Sequence, residues 1–270
     1  MLETDKVFSG SIPENYDRHM VPMIFEPYAA DLAARVLQFS PRSLLEIAAG
    51  TGVVTRALAP RLAADTSYFV TDLNPSMLDY ARSRQPVDGR LRWQQADAMA
   101  LPFEDAVFDL VFCQFGAMFF PDRPAAYREA RRVLKPGGHF LFNVWDRIEE
   151  NVFANDVSKA LAGLFPNDPP RFMARTPHGY YDTDLIRSDL ERAGFSHVKI
   201  VTKAEQSRAP SAHHAAVAYC QGTPLRGEIE ARAPEGLAAA TDVSAAALRD
   251  KHGSGAVAAK IQAHIIMAVA

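Results

Sequence analysis

The stretch LLEIAAGTGVV, Leu44 to Val54, is a short apolar run broken by one acid, Glu46, followed by Gly50-Thr51-Gly52 and by "VVTRALAPRLA", whose apolar spacing is helical. It reads as a buried strand, a tight glycine turn and a helix start. Such a junction aims free backbone N–H groups and the positive end of a helix dipole at whatever lies above it, and so predicts an anionic ligand group there. A dinucleotide pyrophosphate meets that requirement, and so does an amino-acid carboxylate.

Outward from this loop, apolar strand-like runs at Leu44–Ala48, Ser67–Thr71, Leu91–Gln95, Leu110–Gln114 and His139–Val144 alternate with the helical patterns "TRALAPRLA", "PSMLDYARSR" and "DRPAAYREARRVL". Strand, helix, strand in that rhythm implies a parallel sheet covered on both faces. Lys135-Pro136-Gly137-Gly138 is expected to stop the third helix before the next strand. After Val144 the rhythm breaks in the Pro-rich "FPNDPPRFMARTPHG", then resumes with "DTDLIRSDLERAGF" as a capped helix and "HVKIV" as a strand. From Ser211 to about Ala259 the composition is Ala-rich and helical, and "AHIIMAVA" ends the chain as a strand.

With 270 residues, 48% of them hydrophobic, the chain is long enough to bury a substantial core. A net charge of −3 leaves no electrostatic footprint for nucleic acid or an anionic membrane surface. The first residues lack an apolar core of signal-peptide length, and no segment approaches the roughly 18 apolar residues of a membrane span, so a cytoplasmic protein is expected. Cys113 and Cys220, in unlike surroundings, are expected to be buried free thiols, with no disulfide and no metal site.

In a doubly wound sheet a carboxylate ending the second strand accepts hydrogen bonds from a cofactor's ribose hydroxyls, and Asp72, at the end of "SYFVTD" and 20 residues after Gly52, is that acid. Dinucleotide dehydrogenases and methyltransferases share this spacing. The dinucleotide fingerprint also asks for a third glycine three positions after Gly52, where this chain has Thr55.

Taken together, the motifs resemble those of the class I S-adenosylmethionine-dependent methyltransferases, near the ubiquinone-biosynthesis and sterol or small-molecule methylases. "LLEIAAGTG" resembles that family's first motif, "VTDLNPSMLDYAR" its ribose-binding strand and following helix, "QQADAMALPFEDAVFDLVFCQFG" its adenine-binding turn and fourth strand, and "REARRVLKPGGHFLFNVW" its fifth strand, all in family order from about Leu44 to Trp145. One departure is Ala48, which stands where the family usually has its first glycine.

The resemblance implies an α/β fold, a doubly wound seven-stranded sheet in the order 3-2-1-4-5-7-6 with strand 7 antiparallel, plus a helical cap. It implies amino-terminal lid helices over residues 1–42 and a cofactor-binding domain over 43–270, with substrate-cap insertions at about 146–182 and 209–259. S-adenosyl-L-methionine is the implied cofactor. Gly50, Thr51 and Gly52 let the backbone approach its methionine part, close to Ala48, with Glu46 ordering the loop or receiving the ammonium through water. Asp72 holds the ribose; Leu73 and Met77 press on the adenine; Asp97 accepts from its amine while the Ala98 backbone meets the ring. Gln114 and Phe115 lie beside the transferring methyl, and Tyr16 or Phe25 of the lid lies against the cofactor.

Methyl transfer from a sulfonium needs desolvation and alignment more than a catalytic triad, so no obligatory catalytic residue is assigned. If the nucleophile must lose a proton, Trp145, Asp146, Tyr180, Tyr181, Tyr16, His19, His213 and His214 are the candidates, each with packing or solvation as the plainer explanation. His139 opens its strand at the far edge, and Asp109 reads as a strand-entry residue. The expected function is methyl transfer to a small, partly apolar molecule, without nucleic acid and with oligomeric state unspecified. The rivals are a dehydrogenase, disfavoured by Thr55, a nucleic-acid methyltransferase, disfavoured by charge, and a cofactor-binding regulator without turnover.

Overall fold

The computed structural model describes residues 12–270. A helical segment opens it, with α1 (Ile12–Asn15), a widened stretch over Tyr16–Phe25 and α2 (Glu26–Leu37). The widening shows in the Glu26 N–H donating to the Val21 carbonyl, five residues back, and Pro22, which has no N–H to give a tighter turn, lies within it. Then follow β1 (Ser43–Glu46), α3 (Val53–Leu58), β2 (Ser67–Asp72), α4 (Pro75–Arg84), β3 (Leu91–Gln95), β4 (Phe108–Gln114), α5 (Arg123–Val133) and β5 (Leu134–Trp145). The remainder is α6 (Val152–Leu164), α7 (Phe172–Arg175), α8 (Thr183–Arg192), β6 (Ser196–Ala209), α9 (Ala212–Gln221), α10 (Leu225–Arg232), α11 (Leu237–His252) and β7 (Val257–Val269).

The sheet order is β3-β2-β1-β4-β5-β7-β6, as the motifs imply. The five strands from β3 to β5 pair in parallel. β7 runs against β5: the Ala270 N–H donates to the Gly138 carbonyl at one end, and the Asp146 N–H to the Gln262 carbonyl at the other. Cα partnering of Glu46 with Val70 and Phe112, and of Gln114 with Asn143, brings the carboxyl ends of these strands to one edge. That is the edge where doubly wound sheets bind ligands.

Three stretches differ from the sequence expectation. Lys135-Pro136-Gly137-Gly138 belongs to β5, absorbed as an irregularity: pairing steps from Phe108–Leu134 to Leu110–His139, and Gly137 takes φ +77°. β6 runs well past "HVKIV", to Ala209, as the edge strand beside the long β7. The Ala-rich helices end at His252 rather than near Ala259. Gly253, at φ +99°, breaks α11, and β7 starts at Val257.

Compactness divides the described chain into two units. The first comprises residues 27–144, 181–203 and 263–270, and the second residues 12–26, 145–180 and 204–262. The core of the first gathers Leu44, Val54, Leu58, Tyr68, Val70, Leu110, Phe112 and Leu141 with Leu32 and Val36 of α2. At about 1.5–3 kcal/mol for each large apolar side chain buried, this cluster fixes the strand register beneath the loop. In the second unit α9 packs along α11, where Ala215, Ala216 and Ala240 are buried, and Asp156 of α6 ties to Lys251 and His252 of α11. Both cysteines are buried free thiols, as expected, and burial pushes Cys113 up to about 12. Among the described residues no helix is long and apolar enough to cross a membrane.

Candidate active site

The loop after β1 places Ala48, Gly50 and Gly52 at φ +55°, +57° and +80°. Gly52 is there for two reasons: its φ is left-handed, and a Cβ on it would stand 3.0 Å from Ala81 Cβ of α4. α3 has only six residues and a correspondingly small dipole, and the Ala49, Gly50 and Gly52 N–H groups are given to the Thr71 carbonyl, the Asp72 carboxylate and the Ala49 carbonyl. The Thr51 hydroxyl oxygen is buried without a hydrogen-bond partner among the described residues.

Asp72 is tied into that loop. One carboxylate oxygen accepts the Gly50 N–H at 2.8 Å and the other the Asn74 N–H at 2.8 Å, so the acid joins the glycine turn to the start of α4. Burial raises its pKa against the pull of these donors. The Asn74 side chain and the Leu73 N–H also act on the carboxylate and favour its charged form.

Glu46 turns into the core instead. Its Oε2 accepts the Thr55 hydroxyl at 2.6 Å and the Tyr68 hydroxyl, and Thr71 donates to its backbone carbonyl at 2.7 Å. Thr55, which replaces the dinucleotide fingerprint's third glycine, therefore holds the acid of the first motif. Burial raises the Glu46 pKa from 4.5 to about 7. The unfolded chain then carries the charge at lower pH than the folded one, so stability is full below pH 4.5 and falls as pH rises to about 7. The loss amounts to about 3 kcal/mol once complete. Glu46→Gln keeps an acceptor for both hydroxyls, and is expected to flatten this fall when denaturant midpoints are compared between about pH 5 and about pH 8. An unchanged slope would show that Glu46 is ionised in the fold.

The other residues singled out by sequence divide between the two units. In the first, Leu73 is 42% exposed, and Met77, whose Cε lies 3.9 Å from a Cβ built on Gly50, is buried. Asp97 is exposed and accepts the Met99 N–H at 2.9 Å in a turn beside the buried Ala98. Gln114 ends β4. Phe115 stands at φ +51°, its N–H donating to Asn143 Oδ1 at 2.9 Å and its ring edge-on to Tyr28. Asp109 takes the strand-entry role: it accepts the Arg42 and Ser43 N–H groups and pairs with Lys135, and these donors hold it down at about 2. His139 packs on Phe39.

In the second unit Tyr16 stacks on Phe25 at 5.0 Å between centroids, and Phe25 meets Trp145 at 5.8 Å. His19 and His214 share a hydrogen bond of 3.1 Å, and burial lowers both pKa values. Tyr180 is buried and His213 exposed, and Tyr181, which opens the 181–203 segment of the first unit, is exposed. Asp146 binds Gln262 Nε2 at 2.6 Å, and its backbone carbonyl receives His178 Nδ1 at 2.8 Å. Two residues were missed by sequence. Asn143 carries a signal, an amide in the otherwise apolar "FLFNVW"; His178, in a Pro-rich connection, carries none.

A methyltransferase-domain family model matches residues 45–142. The chain is 32% identical over 201 residues to the ubiquinone/menaquinone biosynthesis C-methyltransferase UbiE of Paraburkholderia phymatum, covering 70% of this chain and 83% of that protein. The chain belongs to the class I S-adenosylmethionine-dependent methyltransferases. Among solved structures it is similar to the YcgJ protein of Bacillus subtilis (TM-score 0.58, 18% identity, 90% of this chain and 98% of that one). It is also similar to Haemonchus contortus phosphoethanolamine N-methyltransferase 2 in complex with phosphomonomethylethanolamine and S-adenosylhomocysteine (TM-score 0.59, 17% identity, 100% of this chain and 61% of that one). The fold is theirs, the cofactor is S-adenosylmethionine, and the activity is methyl transfer to a small molecule.

Proposed function

We propose that the first unit holds S-adenosylmethionine along the carboxyl edge of β1, β2 and β4, and that the acceptor is a small, partly apolar molecule. The observation that carries this is the Gly50–Asp72 link: one buried carboxylate at the end of β2 fixes the glycine turn, which puts an acid for ribose hydroxyls beside the loop. Ala48, Gly50, Thr51 and Gly52 meet the methionine part, with Glu46 setting the turn from below. Leu73 and Met77 cover the adenine, Asp97 and Ala98 meet its edge, and Gln114 and Phe115 stand near the reacting carbon. The unpartnered Thr51 hydroxyl oxygen and the space beside Gly50 suit such a ligand. When bound, the cofactor supplies an electrophilic methyl group; the protein's share is alignment and exclusion of water.

In the second unit the Tyr16–Phe25–Trp145 rings offer aromatic surface suited to a partly apolar acceptor. A net charge of −3 supports an enzyme without a nucleic-acid substrate. S-adenosylhomocysteine is expected to raise the melting temperature through binding linkage, by an amount that grows with its concentration, whereas NAD leaves it unchanged. Stabilisation by NAD alone overturns the cofactor assignment.

A further inference from the structure

Asn143 is 1% exposed and lies in β5 beside Gln114 of β4, its Cα partner in the sheet. The Phe115 N–H reaches the Asn143 side chain at 2.9 Å and the Asn143 backbone carbonyl at 3.2 Å, so one residue holds that N–H twice. An N–H only donates, and the end of the amide that meets it is therefore Oδ1. The same bond fixes the other end: Nδ2 is sealed from solvent and makes no hydrogen bond among the described residues. A buried amide donor without an acceptor lowers stability, and a leucine of similar size would not carry that penalty.

What the amide holds is strained. Phe115 stands at φ +51°, a conformation that a bulky side chain adopts only where its surroundings impose it. Here they do so entirely within the first unit. Asn143 takes the N–H, and the Phe115 ring lies edge-on to Tyr28, 5.4 Å away between centroids. Tyr28 is anchored in turn, its hydroxyl donating to the Lys203 carbonyl at 3.0 Å. The next residue, Gly116, packs so closely on the glycine loop that a Cβ would stand 2.6 Å from Ala48 Cβ. The left-handed turn at Phe115 thus leads the exit of β4 directly against the loop that carries Gly50, Thr51 and Gly52.

We propose that Asn143 is a positioning residue for methyl transfer: its Oδ1 holds Phe115 in the left-handed turn that shapes the β4 exit for the cofactor, and the core tolerates an unpaired Nδ2 to keep it there. The inference rests on the placement of S-adenosylmethionine along the carboxyl edge of β1, β2 and β4. Two consequences separate it from a role in folding alone. The side chain that best fills the site is not the one that best holds Phe115, so stability and cofactor affinity respond in opposite directions to substitution. By linkage, a turn that favours the cofactor is itself favoured when the cofactor binds.

The test uses the full chain with S-adenosylhomocysteine as the probe and has two arms. In the wild type, amide hydrogen exchange followed by nuclear magnetic resonance compares Phe115 and Gly50 with Ala106, whose N–H donates to the Arg132 carbonyl at the opposite end of β4. Saturation with the probe is expected to slow exchange at Phe115 and Gly50 at least about tenfold beyond any change at Ala106. Slowing at Gly50 without slowing at Phe115 overturns the inference and leaves the placement of the cofactor standing; slowing at neither overturns both. This arm does not depend on any variant folding.

The second arm compares Asn143→Leu, which removes both ends of the amide at little change in size, with Asn143→Asp, which keeps an oxygen for the Phe115 N–H but buries an acid. Probe affinity is expected to fall at least about tenfold in Asn143→Leu and to recover to within about threefold of wild type in Asn143→Asp. Denaturant midpoints are expected in the reverse order, with Asn143→Leu at or above wild type and Asn143→Asp below it. A residue that only supported the fold would rank the two variants alike in both measurements. That common ranking, wild-type affinity in Asn143→Leu, or an Asn143→Asp that binds no better than Asn143→Leu each overturn the proposal.

Discussion

Asp72→Ala is expected to weaken S-adenosylhomocysteine binding by about two to four orders of magnitude, since two hydrogen bonds to a carboxylate contribute about 1.5–3 kcal/mol each. The side chain does two jobs in the free protein, accepting the Gly50 and Asn74 N–H groups at 2.8 Å each. Removing it therefore loosens the glycine turn as well as deleting the proposed ribose contact, and the two losses add in the measured Kd. The fold itself loses less. Burial already raises the Asp72 pKa, so the ionised acid sits in the core at a cost that the alanine variant no longer carries. Asp72→Asn does not escape the effect, because an amide presents N–H to one of two backbone donors that both need an acceptor. Calorimetric titration beside circular dichroism separates binding from unfolding. A Kd within about threefold of wild type for a folded Asp72→Ala protein would place the ribose elsewhere.

The sheet order was readable because its determinants are local. Apolar runs such as "SYFVTD" and "FDLVFCQ" are bounded by residues that stop strands, and Asp122 and Asp182 cap α5 and α8. Where pairing partners decide the outcome, the sequence is mute. β6 continues through Lys203, Glu205 and Arg208 because β7 offers its edge to them, and nothing in their alternation marks a strand over a solvated loop. The widened helix over Tyr16–Phe25 is likewise a backbone choice, and Pro22 is its sole herald.

The site was legible to the extent that it is backbone and carboxylate. The glycine turn and Asp72 were singled out by their spacing, and the structure joins them through the Gly50 N–H, a bond the spacing does not show. Thr55 was visible as a departure from the dinucleotide pattern, but its bond to Glu46 depends on α3 lying against β1, a fact of packing. Asn143 was overlooked although an amide at 1% exposure in an apolar strand needs a partner, and the Phe115 N–H is that partner. His178 could not be read at all, since its place depends on a loop returning to the carbonyl of Asp146.

Gly116→Ala is expected to destabilise the protein by about 3 kcal/mol, the upper end for overpacking, and to be partly repaired by Ala48→Gly. At φ −99°, ψ −32° the Gly116 backbone accepts any residue, so the effect is steric. A Cβ there stands 2.6 Å from Ala48 Cβ and 2.6 Å from Cys113 Sγ, distances that no real contact tolerates. Ala48 occupies the place where the family usually carries glycine, and it does so at φ +55°, a conformation that costs a residue with a Cβ about 1–2 kcal/mol. The loop thus carries its methyl group at position 48 and none at position 116. Ala48→Gly alone should be close to neutral, the relief of that strain being offset by about 0.5–1 kcal/mol of glycine entropy. In the double variant one of the two clashes disappears, so the pair should be more stable than the sum of the single effects by at least about 1 kcal/mol. Adding Cys113→Ala removes the second clash and tests whether sulfur or methyl is the harder neighbour. Strict additivity in denaturant midpoints would mean that the β4 exit shifts to admit the new methyl group without pressing on the loop, and that the two segments which carry Ala48 and Phe115 are not mechanically joined at Gly116.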